Sequence, residues 1–100
     1  MKISGLEWDD YNNKEIARHG VSPDEVIDVC YGLHIMKKDP DSKRKGKERY
    51  ILSGWSGSGR YLDVIIEKLY GTYFRPVTAF EMSENYKRSY QKKVENRGIK

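Results

Sequence analysis

Eight side chains in the middle of the chain have the types needed for acid–base or anion chemistry: Lys47, Glu48, Arg49, Tyr50, Arg60, Asp63, Glu67 and Arg75. No nucleophilic triad, phosphate-cradling glycine motif or zinc pattern accompanies them. The Gly57-Ser58-Gly59 turn is too short and wrongly placed for a phosphate loop. Two isolated histidines and a single cysteine offer no ligand spacing, so neither a metal nor a cofactor is expected. Cations beside carboxylates suit the cleavage of RNA. RNA carries its own nucleophile, the 2′-hydroxyl, so the protein must only hold the phosphate, stabilise its developing charge and move protons. Arginine matches phosphate oxygens bidentately. A carboxylate such as Glu48 serves as base, and a protonated side chain assists the leaving group. Charged residues on exposed strand faces are also ordinary, and the residue types alone leave that alternative open.

The charge distribution sharpens the question. The net charge is +4. Residues 1–30 hold three basic and seven acidic side chains, residues 37–49 seven and three, and residues 84–100 six and two. The chain is therefore dipolar, with an acidic start and two basic segments that would form a polyanion footprint if they meet in space. Solvated surface is the alternative. His19 precedes Gly20 and suits a helix C-terminus. His34 reads as a half-buried packing residue, and Cys30, in an apolar stretch, as a small buried hydrophobe. One cysteine allows no intrachain disulfide, as in a reducing compartment. No apolar signal run or stretch of ~20 apolar residues is present. A cytoplasmic protein without a membrane is expected.

The elements that must position these groups follow from local signals. One hundred residues imply one domain, residues 1–100, with a modest, tyrosine-rich core. Leu6 and Trp8 form a short apolar opening, a first strand or an extended arm. Asp9 and Asp10 can cap a helix from about Tyr11 to His19, ended by Gly20. Ser22-Pro23-Asp24-Glu25 reads as a capping box opening a second helix to about Tyr31, with Val26, Ile27, Val29 and Cys30 as its core stripe. Strands are expected at Leu33–Lys38, Lys47–Trp55, Arg60–Tyr70 and Thr72–Phe80. A polar hairpin loop spans Asp39 to Gly46, and Pro76 argues for a bulge or an edge. The third strand has two partly apolar faces and should lie centrally, with helices against at least one side. Ser83 caps a last helix, Glu84–Glu95, docked through Met82, Tyr86, Tyr90 and Val94. The expectation is an α+β domain: two N-terminal helices, a four-stranded antiparallel sheet and a C-terminal helix.

Glu7-Trp8-Asp9-Asp10, followed by Arg18-His19-Gly20-Val21-Ser22, resembles the opening of the BrnT-type toxins of bacterial type II toxin–antitoxin systems. Glu48-Arg49, the turn before Arg60, Arg75-Pro76-Val77-Thr78-Ala79 and the basic last helix around Tyr90 follow the same plan, so the resemblance covers nearly the whole chain. It implies a RelE-like fold and a metal-independent ribonuclease that inhibits growth and is neutralised by a cognate antitoxin. It also implies that this antitoxin is BrnA-like, with a ribbon-helix-helix DNA-binding part, and that operator DNA is bound only through the complex. With the cation set, it assigns Arg60 and Arg75 to phosphate charge, Glu48 to the base, and Lys47 or Arg88 to assistance. Arg49, Lys87, Arg88 and Tyr90 are assigned to RNA binding. Three positions depart from the family pattern: Phe80 and Trp55 stand where arginines are usual, and Tyr86 where a glutamate is. Phe80 and Trp55 could stack on bases, with core packing the alternative for Phe80. A non-catalytic toxin-fold module that pairs with an antitoxin or nucleic acid is the second reading.

Overall fold

The computed structural model describes residues 2–40 and 46–96. The elements run β1 (Gly5–Leu6), α1 (Asp10–Arg18), α2 (Pro23–Tyr31), β2 (His34–Lys38), β3 (Arg49–Trp55), β4 (Tyr61–Tyr70), β5 (Tyr73–Glu81) and α3 (Glu84–Asn96). The hairpin loop expected at 39–46 includes Lys43, Arg44 and Lys45, which lie outside the described residues.

Both N-terminal helices start where their caps dictate. The Asp9 carboxylate accepts from Asn12 N at 2.7 Å. The Ser22 hydroxyl accepts from Glu25 N at 3.2 Å while the Glu25 carboxylate accepts from Ser22 N, which completes the capping box. α1 stops at Gly20, whose φ of +75° suits a residue without Cβ. On α2 the buried stripe is Val26, Val29 and Cys30. Ile27, expected in that stripe, is 40% exposed instead, because a three-residue stripe already fills the contact with the sheet. Gly54 allows that contact to be close. A Cβ there would stand 2.9 Å from Val29 Cγ1.

The sheet has five strands in the order β1-β5-β4-β3-β2. This corrects the expected four-stranded antiparallel sheet. β2 to β5 do form the antiparallel meander, but β1 pairs with β5 in parallel, Gly5 opposite Tyr73 and Leu6 opposite Phe74. A two-residue strand is too short to show a period of its own, and it forms because β5 offers a free edge. Pro76 sits at a bulge: Ile66 pairs with Pro76 and Ile65 with Thr78, leaving Val77 unpaired.

Alternation sorts the two faces. Tyr50, Leu52, Leu62, Val64, Ile66, Phe74 and Ala79 point inward and form one core with Ile3, Ile16, Val21, Val26, Val29 and Cys30. α3 lies on the opposite, outer face. Its Ser83 hydroxyl accepts from Tyr86 N at 3.3 Å, Tyr90 packs edge-on to Tyr61, and Met82 and Tyr90 are buried as expected of its docking side. Helices thus flank the sheet on both sides. No helix among the described residues is long and apolar enough to cross a membrane.

Candidate active site on the outer face of the sheet

Arg49, Glu67 and Arg75 stand directly opposite one another on three adjacent strands, β3, β4 and β5. Arg49 Nε donates to Glu67 Oε1 at 2.9 Å, Arg75 Nη1 approaches Glu67 Oε2 at 3.8 Å, and Lys47 Nζ approaches Oε1 at 3.9 Å. The row ends on the α1 N-cap, where Arg75 Nε lies 3.2 Å from Asp9 Oδ2. That contact is close enough for an ion pair but is not aligned for a hydrogen bond, so the buried Arg75 Nε has no hydrogen-bond partner. Three cations and two carboxylates therefore meet at one end of the face. The side chains of Arg49, Arg75 and Lys47 remain 21%, 35% and 49% exposed. Among the described residues the Nη fork of Arg49 has no hydrogen bond, and it is the part of arginine that suits a phosphate.

The sequence-expected groups divide sharply around this row. Lys47, Arg49 and Arg75 come together. Glu48 does not join them: its carboxylate binds the Tyr50 hydroxyl and lies 3.8 Å from Lys68 Nζ. The Tyr50 hydrogen bond holds that carboxyl below the usual range, with Lys68 and Lys38 adding to it against slight desolvation. The carboxylate that shares the arginines is Glu67. The signal for it was its position on β4, since an outward odd residue on a central strand must meet outward neighbours on both sides.

Arg60 is elsewhere. It precedes β4 and lies seven positions before Glu67, roughly 23 Å at strand rise. Arg60 and Arg75 therefore cannot hold one phosphate. Arg60 Nη1 donates to Glu25 Oε1 and to the Gly20 carbonyl, both at 2.9 Å, and its Nε donates to Glu81 Oε1 at 3.0 Å. The second Glu25 oxygen accepts from the Ser58 hydroxyl at 2.7 Å. Burial raises the Glu25 carboxyl, but Ser58, Ser22, Arg60 and Ser56 outweigh it and leave it below the usual range. The group locks the start of α2 to the β3–β4 turn and to the end of β5.

The residues of α3 also separate. Lys87 sits over the Tyr61 ring, 4.7 Å from its centroid, and Arg88 is exposed. Tyr90 is 8% exposed and packs edge-on against Tyr61, so the structure places it in the docking of α3, where it forms part of a cleft wall. Tyr86 lies beneath Lys37 Nζ and 3.4 Å from Ser53 Oγ. Beside them the Ser53 hydroxyl donates to Asp63 at 2.6 Å, and burial raises the Asp63 carboxyl despite that bond and Lys37. Phe80 is half-buried, edge-on to His19 at 6.1 Å, which favours packing over base stacking at that position. His34 is the half-buried packing residue expected, with Nδ1 2.8 Å from the Val29 carbonyl.

Cys30 takes no part. It is 3% exposed, and burial pushes its thiol up to about 12. Iodoacetamide at pH 8 should leave it unmodified in the folded protein and alkylate it rapidly in guanidinium, as mass spectrometry would read. Because the folded value is raised, Cys30 contributes stability fully below its ordinary value of 9.0 and loses it as the pH climbs toward 12.

Compared with protein-family models and with curated protein sequences, the chain matches none.

Proposed function

We propose that the chain is a metal-independent endoribonuclease acting as the toxin of a type II toxin–antitoxin pair, with its centre at Lys47, Arg49, Glu67 and Arg75. One observation carries this: two arginines on neighbouring strands bracket a single carboxylate on a partly exposed face, with a lysine at its side. A phosphodiester laid over the row meets cations from both sides, and the carboxylate beneath is placed to take a proton. In the reaction, Glu67 accepts the proton of the 2′-hydroxyl, whose oxygen attacks the adjacent phosphorus. Arg49 and Arg75 stabilise the added charge of the five-coordinate phosphorus. Lys47 gives a proton to the departing 5′-oxygen, and a 2′,3′-cyclic phosphate remains.

The family resemblance supports this reading, and so does the arrangement of a sheet between two N-terminal helices and a C-terminal helix, which suits a RelE-like fold. Under it the protein works in the cytoplasm with a BrnA-like ribbon-helix-helix antitoxin, and operator DNA is contacted only through the complex. The test is purified protein with naked RNA in excess chelator, beside induced expression in growing cells. Cleavage to 2′,3′-cyclic ends and growth arrest are expected. Intact RNA with unimpaired growth at high expression would remove the proposal.

One observation favours the second reading, a non-catalytic toxin-fold module that pairs with an antitoxin. The arginine that the resemblance makes catalytic, Arg60, is held between Glu25 and Glu81. In that case variants of Glu67 and Arg75 would leave growth phenotypes unchanged.

A further inference from the structure

We propose that the cleft beside α3 is a stacking subsite for one base of single-stranded RNA; this rests on the reading that RNA is the substrate. The cleft has a volume of about 600 Å³; its walls are mainly aromatic and apolar, with Trp55, Tyr61 and Tyr90 on one side, and Gln91 and Glu95 are its polar lining. Trp55 and Tyr61 are cross-strand partners at the last pair of β3 and β4, and their rings stack with centroids 6.0 Å apart and planes 10° apart. Tyr90 closes the far side of Tyr61 edge-on at 5.8 Å. Trp55 is nevertheless 56% exposed and Leu33 62%. An indole anchored by stacking on one side and open on the other offers a planar ring the kind of platform that sequence-tolerant single-strand binders use.

Charge favours a nucleic acid over an apolar peptide. Lys87 Nζ stands 4.7 Å from the Tyr61 centroid at the cleft, and α3 as a whole carries four cations, Lys87, Arg88, Lys92 and Lys93, against two carboxylates, Glu84 and the cleft-lining Glu95. Those cations suit the phosphates flanking a stacked base. Gln91 already donates its amide NH₂ to the Tyr61 hydroxyl at 3.3 Å, which leaves its carbonyl oxygen to accept from a base edge. The cleft also shares the outer face with the catalytic row. The pairs Trp55–Tyr61 and Arg49–Glu67 lie six residues apart on the same two strands, roughly 20 Å at strand rise. A few nucleotides of extended strand span that length, so the cleft would hold a base outside the scissile pair and act on affinity, not on the chemical step.

The test uses a 3′-labelled 2′-O-methyl hexanucleotide, which cannot be cleaved because its attacking oxygen is blocked, together with an abasic hexamer of equal charge. Binding is read by anisotropy and by Trp55 emission in a Trp8→Phe background. Trp55→Ala should weaken binding of the hexanucleotide by about 5- to 100-fold, Trp55→Phe should restore most of it, and the base-containing hexamer should quench Trp55. Far-UV circular dichroism checks that the variants are folded, as expected for a half-exposed side chain. Equal affinity of wild type and Trp55→Ala, no quenching, or equal binding of the abasic hexamer would overturn the subsite. So would a Trp55→Ala variant that keeps its RNA affinity but loses a protein partner, since the cleft would then be a protein-docking surface. Unmodified RNA separates the two claims. Trp55-dependent binding without cleavage removes the nuclease and keeps the subsite, whereas cleavage with Trp55-independent affinity does the reverse.

Discussion

Glu67→Gln should slow RNA cleavage by about 10²- to 10⁴-fold, the range expected when a positioned general base is lost. Glutamine keeps the shape of the side chain and can still accept the hydrogen bond from Arg49, but it cannot take up a proton. The same change removes the negative charge that the three cations now share. RNA affinity should therefore hold or rise while the rate of the chemical step falls. Arg75→Ala should lose both, with cleavage falling by about 10²- to 10³-fold. Glu48→Gln, whose carboxylate is turned toward Tyr50 and Lys68, should stay within about twofold of wild type. Single-turnover cleavage of labelled RNA in chelator, with affinity measured on a non-cleavable oligomer, reads all three. A Glu67→Gln enzyme that cuts at the wild-type rate, or a Glu48→Gln enzyme that does not cut, would overturn the assignment of the base.

Arg60→Ala should damage the fold and spare the chemistry. The substitution removes hydrogen bonds to two carboxylates and a carbonyl. It leaves Glu25, whose side chain is 12% exposed, without its cation. Charge-assisted bonds at a part-buried site are worth about 1.5–3 kcal/mol each, but Glu81, at 63% exposure, contributes little through solvent screening. A net loss of about 2 kcal/mol follows, or about 8–16 °C in Tm for a domain of this size. The loss should depend on pH. The Glu25 carboxyl is depressed in the folded protein, so its contribution is present above the ordinary carboxylate value and fades as the pH falls through the folded one. Wild type and variant should accordingly converge in acid. Thermal melts between pH 3 and 8 measure this. At a temperature where both proteins are folded, Arg60→Ala should cleave within about threefold of wild type, because ~23 Å separates it from Glu67. A variant with unchanged Tm and lost cleavage would return Arg60 to the active site.

Long-range ordering of the site explains the divided fate of the sequence-based expectations. Local signals located the helices within a residue or two, since Asp9, Ser22, Glu25, Gly20 and Ser83 act over three or four residues. Period-two patterning marked the strands and gave the Arg60–Tyr70 strand its central place, as β4 has in the sheet. The same local reading placed Ile27 in the core, because a helical period marks a stripe but not its width against a particular sheet. Around Leu6 it left a first strand or an extended arm open, and pairing with β5 settles it as a strand at Gly5–Leu6.

Charge, residue types and spacing were enough by themselves to define an α+β chain with two basic segments, to nominate Lys47, Arg49 and Arg75 as cations on strands, and to include Glu67 among the carboxylates. Tertiary structure alone decided which of these meet. Strand register relates residues 18 apart, Arg49 and Glu67, and the docking of α2 relates residues 35 apart, Glu25 and Arg60. No local preference encodes such a pairing. It placed Glu67 between two arginines, turned Glu48 toward Tyr50, and moved Arg60 from the candidate chemistry into the clamp that holds α2 on the sheet.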